Sequence, residues 1–125
     1  MPQKILVVDD SDLVRDVTRM MLEEYGYEVV TLDSGLGLSR ALGREKPDLV
    51  LVDVSMPALS GNQIVDVARQ HKLHRCPMVL FSDRPASELS LLAKQCGAAG
   101  FIQKTSNAKT LAQSVERFLV TGGAR

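Results

Sequence analysis

The chain has 125 residues, and its 15 basic and 15 acidic side chains cancel to a formal net charge of zero at pH 7. This balance gives no basic field for nucleic acid, and no apolar run approaches the roughly 18 residues of a membrane span. The length and the absence of an internal linker predict one domain over residues 1–125, with no separate output domain.

Short apolar runs rich in β-branched residues alternate along the chain with longer stretches of helical spacing. The runs predict strands at 4–8, 28–32, 49–52, 76–81 and 99–103. Helices are expected between and after these strands. The first stops at Gly26, and the second is capped by residues 33–34 and runs to about 45. The third runs from 62 to about 70, the fourth over 86–95, and the fifth from 107 to about 120. Residues 121–123 are then expected to leave the last helix. The alternation predicts an α/β fold of three layers, a doubly wound parallel sheet with helices on both faces.

The two cysteines, Cys76 and Cys96, lie in apolar surroundings without CxxC spacing. The amino terminus enters a strand almost at once, so no secretory signal is expected. We therefore predict reduced core thiols and a cytoplasmic protein.

The third predicted strand ends on a carboxylate. Four consecutive apolar residues, 49–52, are typical of a central strand buried on both faces, and Asp53 and then Pro57 end it. Asp53 is therefore expected at the carboxyl end of a central strand, where open α/β sheets place their ligands.

Polar groups also follow the first, fourth and fifth strands, at Asp9 and Asp10, Ser82, and Lys104. In the flavodoxin-like strand order 2-1-3-4-5 the first and third strands are neighbours, so three carboxylates would crowd into one space. Like charges this close cannot all stay ionised unless a cation joins them or a pKa rises, and Mg²⁺ suits such oxygen ligands. A carboxylate beside Mg²⁺ is a competent nucleophile toward a phosphoryl group, whose oxygens the lysine and the serine would hold.

The chain resembles the receiver domain of two-component response regulators, of the chemotaxis-regulator type, over essentially its full length. The residues that carry the resemblance are Val7-Val8-Asp9-Asp10, Asp53 with Met56-Pro57 and Gly61, Ser82, Gly97-Ala98, and Phe101 three residues before Lys104. Each match alone is weak, but together, in order and at matching spacing, they are specific.

The resemblance implies that Asp53 is the phosphoacceptor and that Mg²⁺ is held by Asp9, Asp10, Asp53 and the backbone carbonyl of Ser55. The phosphoryl donor would be a sensor histidine kinase or a histidine phosphotransfer protein. Such a domain catalyses only its own phosphorylation and dephosphorylation, and is not a stand-alone enzyme.

By the same resemblance, Ser82 and Lys104 contact the phosphoryl group and Phe101 changes rotamer after phosphorylation. The changed surface would be the face made by the fourth helix, the fifth strand and the fifth helix, which would bind a downstream protein. No direct contact with nucleic acid or membrane is expected.

Two residues depart from the family pattern. Thr105 follows Lys104 where the family usually has proline, so a trans bond is expected because a cis bond before a non-proline residue costs about 3–4 kcal/mol. Asp83 follows Ser82 where a small residue is usual, and its carboxylate would either repel a phosphodonor or orient a hydrolytic water.

Simpler interpretations remain for several of these residues. Asp9 and Asp10 are also typical helix caps, Ser82 is also a cap, and Phe101 is also an ordinary core aromatic. Two rival functions follow: a pseudo-receiver that binds partners without phosphorylation, favoured by Asp83 and Thr105, and a flavodoxin-like cofactor carrier. The carrier is disfavoured because no glycine-rich phosphate loop follows the first strand.

Overall fold

The computed structural model describes residues 2–55, 61–70 and 76–123. Its centre is one five-stranded parallel sheet in the order β2-β1-β3-β4-β5, which confirms the predicted topology. The strands are β1 (Lys4–Val8), β2 (Glu28–Leu32), β3 (Leu49–Val52), β4 (Met78–Ser82) and β5 (Gly100–Gln103).

Within these described ranges, five α-helices connect or follow the strands: α1 (Asp12–Glu24), α2 (Leu38–Glu45), α3 (Gly61–Gln70), α4 (Ala86–Cys96) and α5 (Ala108–Gly123). Side chains cap the helix starts where the sequence offers them. Ser11 Oγ accepts a hydrogen bond from Val14 N at 3.2 Å, and Asn107 Oδ1 accepts one from Thr110 N at 2.9 Å. Among the described residues, no helix is both long and apolar enough to cross a membrane.

The sheet separates two apolar clusters, as the doubly wound arrangement requires. Alternate strand residues point to opposite faces, so Leu6 and Val8 pack with α2, α3 and α4, whereas Ile5 and Val7 pack with α1 and α5. All four residues of β3 are fully buried, which confirms that it is a central strand. Both cysteines are buried, on the α2–α4 side of the sheet.

Glycines in the left-handed region end two helices. Gly26, which follows α1, has φ of 89°, and Gly97, which follows α4, has φ of 79°. Each position favours glycine because a side chain would be strained there. The stop predicted at Gly26 is therefore confirmed.

Some boundaries differ from those predicted. β4 begins at Met78 rather than at residue 76, since Pro77 has no N–H to donate and only its carbonyl pairs, accepting from Val50 N at 3.0 Å. A 3₁₀ turn over Gly35–Gly37 precedes α2, because two glycines weaken the α-helical start. The last helix does not end at residue 120 but continues through Gly123, since threonine and glycine disfavour a helix without forbidding it.

One face of α1 is apolar and exposed. Leu13 and Met20 keep 72% and 69% of their surface exposed, and Val17 keeps 37%, although their helical spacing is that of a buried face. The buried residues of α1 are instead Thr18, Met21 and Leu22. The apolar repeat of α1 therefore spans a buried residue, Met21, and an exposed apolar face.

Candidate functional site

Backbone hydrogen bonds fix the residues that follow the strands. Asp53 N donates to Val8 O at 2.9 Å, and Asp9 N donates to Leu32 O at 3.0 Å. Lys104 N likewise donates to Ser82 O at 2.8 Å. The ladder therefore extends one residue beyond β1, β3 and β5, and it holds the predicted site residues at a single edge of the sheet.

Three carboxylates converge at this edge. Oxygens of Asp9, Asp10 and Asp53 all lie within 4.8 Å of one another. Asp9 and Asp53 are only 1% and 5% exposed, whereas Asp10 faces solvent. The predicted acidic cluster is thus present, with two buried members and one open to solvent.

The carboxylate of Asp9 has a distinct partner for each of its oxygens. Oδ1 accepts a hydrogen bond from Ser11 N at 2.9 Å. Oδ2 is buried and receives no well-oriented hydrogen bond from the described residues, although the ammonium of Lys104 lies 2.9 Å away. A buried oxygen of this kind, beside two other carboxylates, fits a hard cation such as Mg²⁺.

Lys104 reaches both buried carboxylates. Its Nζ lies 2.9 Å from Asp9 Oδ2 and 3.5 Å from Asp53 Oδ1, and it sits 5.7 Å from the centre of the Phe81 ring. Burial by itself lowers the pKa of Lys104, but hydrogen bonding and charge from Asp9 and Asp53 outweigh it and raise the pKa on balance. The lysine is therefore a fixed cation at this site.

Burial raises the pKa of Asp53 above its ordinary value, against the opposing effect of Lys104, and the negative charge of Asp9 raises it further. Ser55 N donates a hydrogen bond to Asp53 Oδ1 at 3.3 Å. The ionised carboxylate thus lies in surroundings that only partly compensate its charge. An added cation would favour the ionised, nucleophilic form.

Ser82 lies at the same edge but turns its hydroxyl toward its own loop. It is 1% exposed, and its Oγ accepts a hydrogen bond from Arg84 N at 3.1 Å. This is the local turn that hydroxyl residues favour after a strand. The hydroxyl thus stabilises the loop before α4 and does not cap the helix, whose first residues receive no side-chain cap hydrogen bond.

Phe101 lies on a different surface from the carboxylates. It is partly buried, packs against the cluster beneath α4, and lines a groove of about 460 Å³ between β5 and α5 together with Phe118. Asp83 is exposed and directly follows Ser82, the last residue of β4. The bond before Thr105 is trans, as expected, and the Thr105 hydroxyl accepts a hydrogen bond from Asn107 N at 3.1 Å. Met56 and Pro57 lie outside the described residues.

Two arginines at this edge were missed from the sequence. The guanidinium of Arg15 donates to Asp9 O at 2.6 Å and pairs with Asp12, and it therefore fixes the loop that carries the acidic pair. Arg84 donates to Ser55 Oγ at 3.2 Å. The spacing of Arg15 from Asp12, one helical turn, was a usable signal; nothing local pointed from Arg84 to Ser55.

Comparison with known proteins gives one consistent family. PilH from Pseudomonas aeruginosa is 30% identical over 118 residues, which cover 93% of this chain and 97% of that protein. The alkaline phosphatase synthesis transcriptional regulatory protein PhoP from Bacillus subtilis is 30% identical over 119 residues, covering 95% of this chain. The chain spans about half or less of the first curated relatives it matches, 49% of PhoP among them.

Solved structures agree with these sequence relatives. The chemotaxis protein CheY4 of Vibrio cholerae superimposes with a TM-score of 0.85 at 28% identity, over 94% of this chain and 99% of that one. The family model of the response regulator receiver domain matches residues 5–116. The chain therefore belongs to the response regulator receiver domain family.

Proposed function

We propose that Asp53 accepts a phosphoryl group from a histidine kinase or a histidine phosphotransfer protein. Receiver domains take phosphoryl groups from histidine kinases and bind Mg²⁺ at an acidic cluster. The observation that carries the proposal is the buried Asp53 carboxylate, 3.5 Å from the Lys104 ammonium and within 4.8 Å of two further carboxylates. This arrangement supplies a nucleophile, a fixed cation and ligands for a metal.

In the proposed step, an oxygen of Asp53 attacks phosphorus, and the bond from phosphorus to the donor's histidine nitrogen breaks. The electron pair returns to the imidazole, so that no oxidant or reductant is needed. Mg²⁺ held by Asp9, Asp10, Asp53 and the carbonyl of Ser55 would neutralise charge on the phosphoryl oxygens. Lys104 would bind one of these oxygens, exchanging part of its contact with Asp53 for the transferred group.

We further propose that Ser82 leaves its local turn to donate a hydrogen bond to the phosphoryl group. That movement would open space beside β4, and Phe101 would rotate into it and remodel the face formed by α4, β5 and α5. This face would bind a downstream protein. The domain would then be a two-state switch, and the phosphoryl group would shift the balance between its two states.

A second candidate is a pseudo-receiver that binds its partner without phosphorylation. Asp83 favours it, since an exposed carboxylate directly after Ser82 would oppose the approach of an anionic donor. In that case Lys104 would serve mainly to compensate the buried carboxylates.

Intact mass after incubation with acetyl phosphate and MgCl₂ separates the two functions. The wild type is expected to gain the mass of one phosphoryl group, and Asp53→Ala is expected to gain none. Asp83→Ala serves as a second background, because a rapidly hydrolysed product would accumulate there if Asp83 orients the attacking water. If neither the wild type nor Asp83→Ala gains mass or binds beryllofluoride, the phosphoacceptor proposal is wrong and the pseudo-receiver is favoured.

A further inference from the structure

Arg84 links three segments of the chain that are distant from one another in sequence. One arm of its guanidinium donates to Ser55 Oγ at 3.2 Å, and the other donates to Glu88 Oε1 at 3.2 Å. Its carbonyl accepts a hydrogen bond from Gln103 Nε2 at 3.0 Å. The residue therefore connects the loop after β3, the first turn of α4 and the end of β5.

A single residue, Ser55, connects the guanidinium of Arg84 to the proposed phosphoacceptor. Ser55, which Arg84 contacts through Oγ, donates its backbone N–H to Asp53 Oδ1 at 3.3 Å. A phosphoryl group on Asp53 would project outward from this carboxylate. It would then bring its oxygens toward the mouth of the site, where the Arg84 side chain is 38% exposed and thus able to change partner.

The present partners of Arg84 are weaker than a phosphoryl group would be. Ser55 offers a neutral hydroxyl, and Glu88 offers a half-exposed carboxylate in the first turn of α4, where solvent screens the ion pair. A phosphoryl group carries more charge and three strong acceptors, and guanidinium binds such groups through two parallel hydrogen bonds.

We propose that Arg84 is a phosphoryl-binding residue that transmits occupancy of Asp53 to α4. When Asp53 is modified, the guanidinium exchanges Ser55 and Glu88 for phosphoryl oxygens, and the first turn of α4 loses its link to the Arg84 side chain. The inference rests on the proposed phosphorylation of Asp53. It adds to Lys104 a second cation, one whose movement reaches α4 directly and does not involve Phe101.

Beryllofluoride, formed from BeCl₂ and NaF with MgCl₂, is the probe for this inference. The chain has no tryptophan whose fluorescence could report binding. The dissociation constant of beryllofluoride is therefore measured by titration calorimetry. Arg84→Gln is expected to bind beryllofluoride about five- to tenfold more weakly than the wild type, and Arg84→Lys is expected to fall between them. Arg44→Gln removes the same charge from the carboxyl-terminal end of α2 and is the matched control.

Glu88→Gln tests the transmission to α4. If Glu88 competes with the phosphoryl group for Arg84, this variant is expected to bind beryllofluoride about two- to threefold more tightly than the wild type, since binding and competition are linked. The gain should vanish when Arg84→Gln is also present. A gain of the same size in both backgrounds would reflect only the lost negative charge and would overturn the transmission.

Different results would contradict the phosphoacceptor function of Asp53 and the role of Arg84. A wild type that binds no beryllofluoride would contradict the phosphoacceptor function and, with it, the role of Arg84. A wild type that binds beryllofluoride, with Arg84→Gln and Arg44→Gln binding equally well, would leave the phosphoacceptor function intact and exclude Arg84 from the site.

Discussion

The ammonium of Lys104 lies 2.9 Å from Asp9 Oδ2, an oxygen that receives no well-oriented hydrogen bond from the described residues. Asp9 is 1% exposed, so the lysine is its principal compensating charge on this side. The pair is therefore as much a requirement of folding as a component of the site. Removing one partner of a buried pair is more costly than the pair itself is stabilising.

Lys104→Met should lower the free energy of unfolding by roughly 3 kcal/mol in the absence of metal, because Asp9 and Asp53 lose their compensating cation. Saturating MgCl₂ should restore part of that loss, since Mg²⁺ would compensate the same carboxylates. Urea denaturation with EDTA and with MgCl₂ measures both values. An equal loss under the two conditions would argue against a shared site for the lysine and the metal.

The stability of the metal-free protein should depend on pH through Asp53. Burial raises the pKa of this carboxyl above the ordinary 3.8, so the folded state holds the proton more tightly than the unfolded state. Its contribution to stability is thus greatest at low pH and is lost as the pH rises through the raised pKa. Asp53→Asn cannot ionise and should be more stable than the wild type at pH 7 without metal.

Urea denaturation between pH 4 and pH 8 in EDTA, with the difference between wild type and Asp53→Asn plotted against pH, checks this sign. Asp66→Asn removes an exposed carboxylate from α3 and serves as the control. A wild type that gains stability over Asp53→Asn as the pH rises would show that Lys104 dominates the surroundings of Asp53.

Asp10→Asn should weaken Mg²⁺ binding at least tenfold, about 1.4 kcal/mol, because it removes one of three converging charges from a hard cation. The fold should be little affected, since Asp10 is exposed. Calorimetric titration with MgCl₂ measures the change. Asp16→Asn, which alters an exposed carboxylate farther along α1, should bind Mg²⁺ as the wild type does.

The exposed apolar face of α1 should help a protein phosphodonor to bind. Leu13 and Val17 line a groove of about 300 Å³ beside Lys104, and Leu13 is 72% exposed. Leu13→Ser should slow transfer from a phosphorylated phosphotransfer protein about tenfold, the equivalent of losing one buried leucine contact. Labelling by acetyl phosphate should not change, because this donor is too small to span the groove.

Leu36→Ser is the control for this prediction, since Leu36 is 88% exposed and lies on the 3₁₀ turn before α2. Transfer rates are followed by phosphate-affinity gel electrophoresis. If Leu13→Ser slows labelling by both donors equally, its effect lies in the site and not in docking.

Gly100→Ala should destabilise the protein by about 1–3 kcal/mol, the usual cost of overpacking. A Cβ at this position would lie 2.8 Å from two ring carbons of Phe118. Adding Phe118→Leu should recover part of the loss. Gly43→Ala is the matched control, since its Cβ would meet nothing within 4 Å, and it should instead stabilise α2 by about 0.5–1 kcal/mol.

The strands and most of the site could be predicted because their signals are local. The run 49–52 is apolar at every position, and all four residues are buried in the structure. Asp9, Asp53 and Lys104 each follow a strand directly, so parallel topology alone brings them together. Their roles as phosphoacceptor, metal ligands and phosphoryl contact stay predictions.

What could not be predicted depends on long-range packing. Arg84 meets Ser55 across 29 residues of sequence, and no spacing rule connects them. The exposed side of α1 could not be predicted, because Leu13 and Met20 repeat at helical spacing whether a core or a partner covers them. The extension of α5 to Gly123 similarly depends on context that residue propensities do not contain.

Because the sheet divides the core, adjacent residues of one strand report on structural changes on opposite faces of the sheet. Leu80 belongs to the cluster beneath α4, whereas Val79, its neighbour in β4, belongs to the cluster beneath α1 and α5. In a sample with labelled leucine and valine methyl groups, a rearrangement confined to α4 would shift the Leu80 resonances and leave those of Val79 in place. β4 thus carries its own internal reference for locating a structural change.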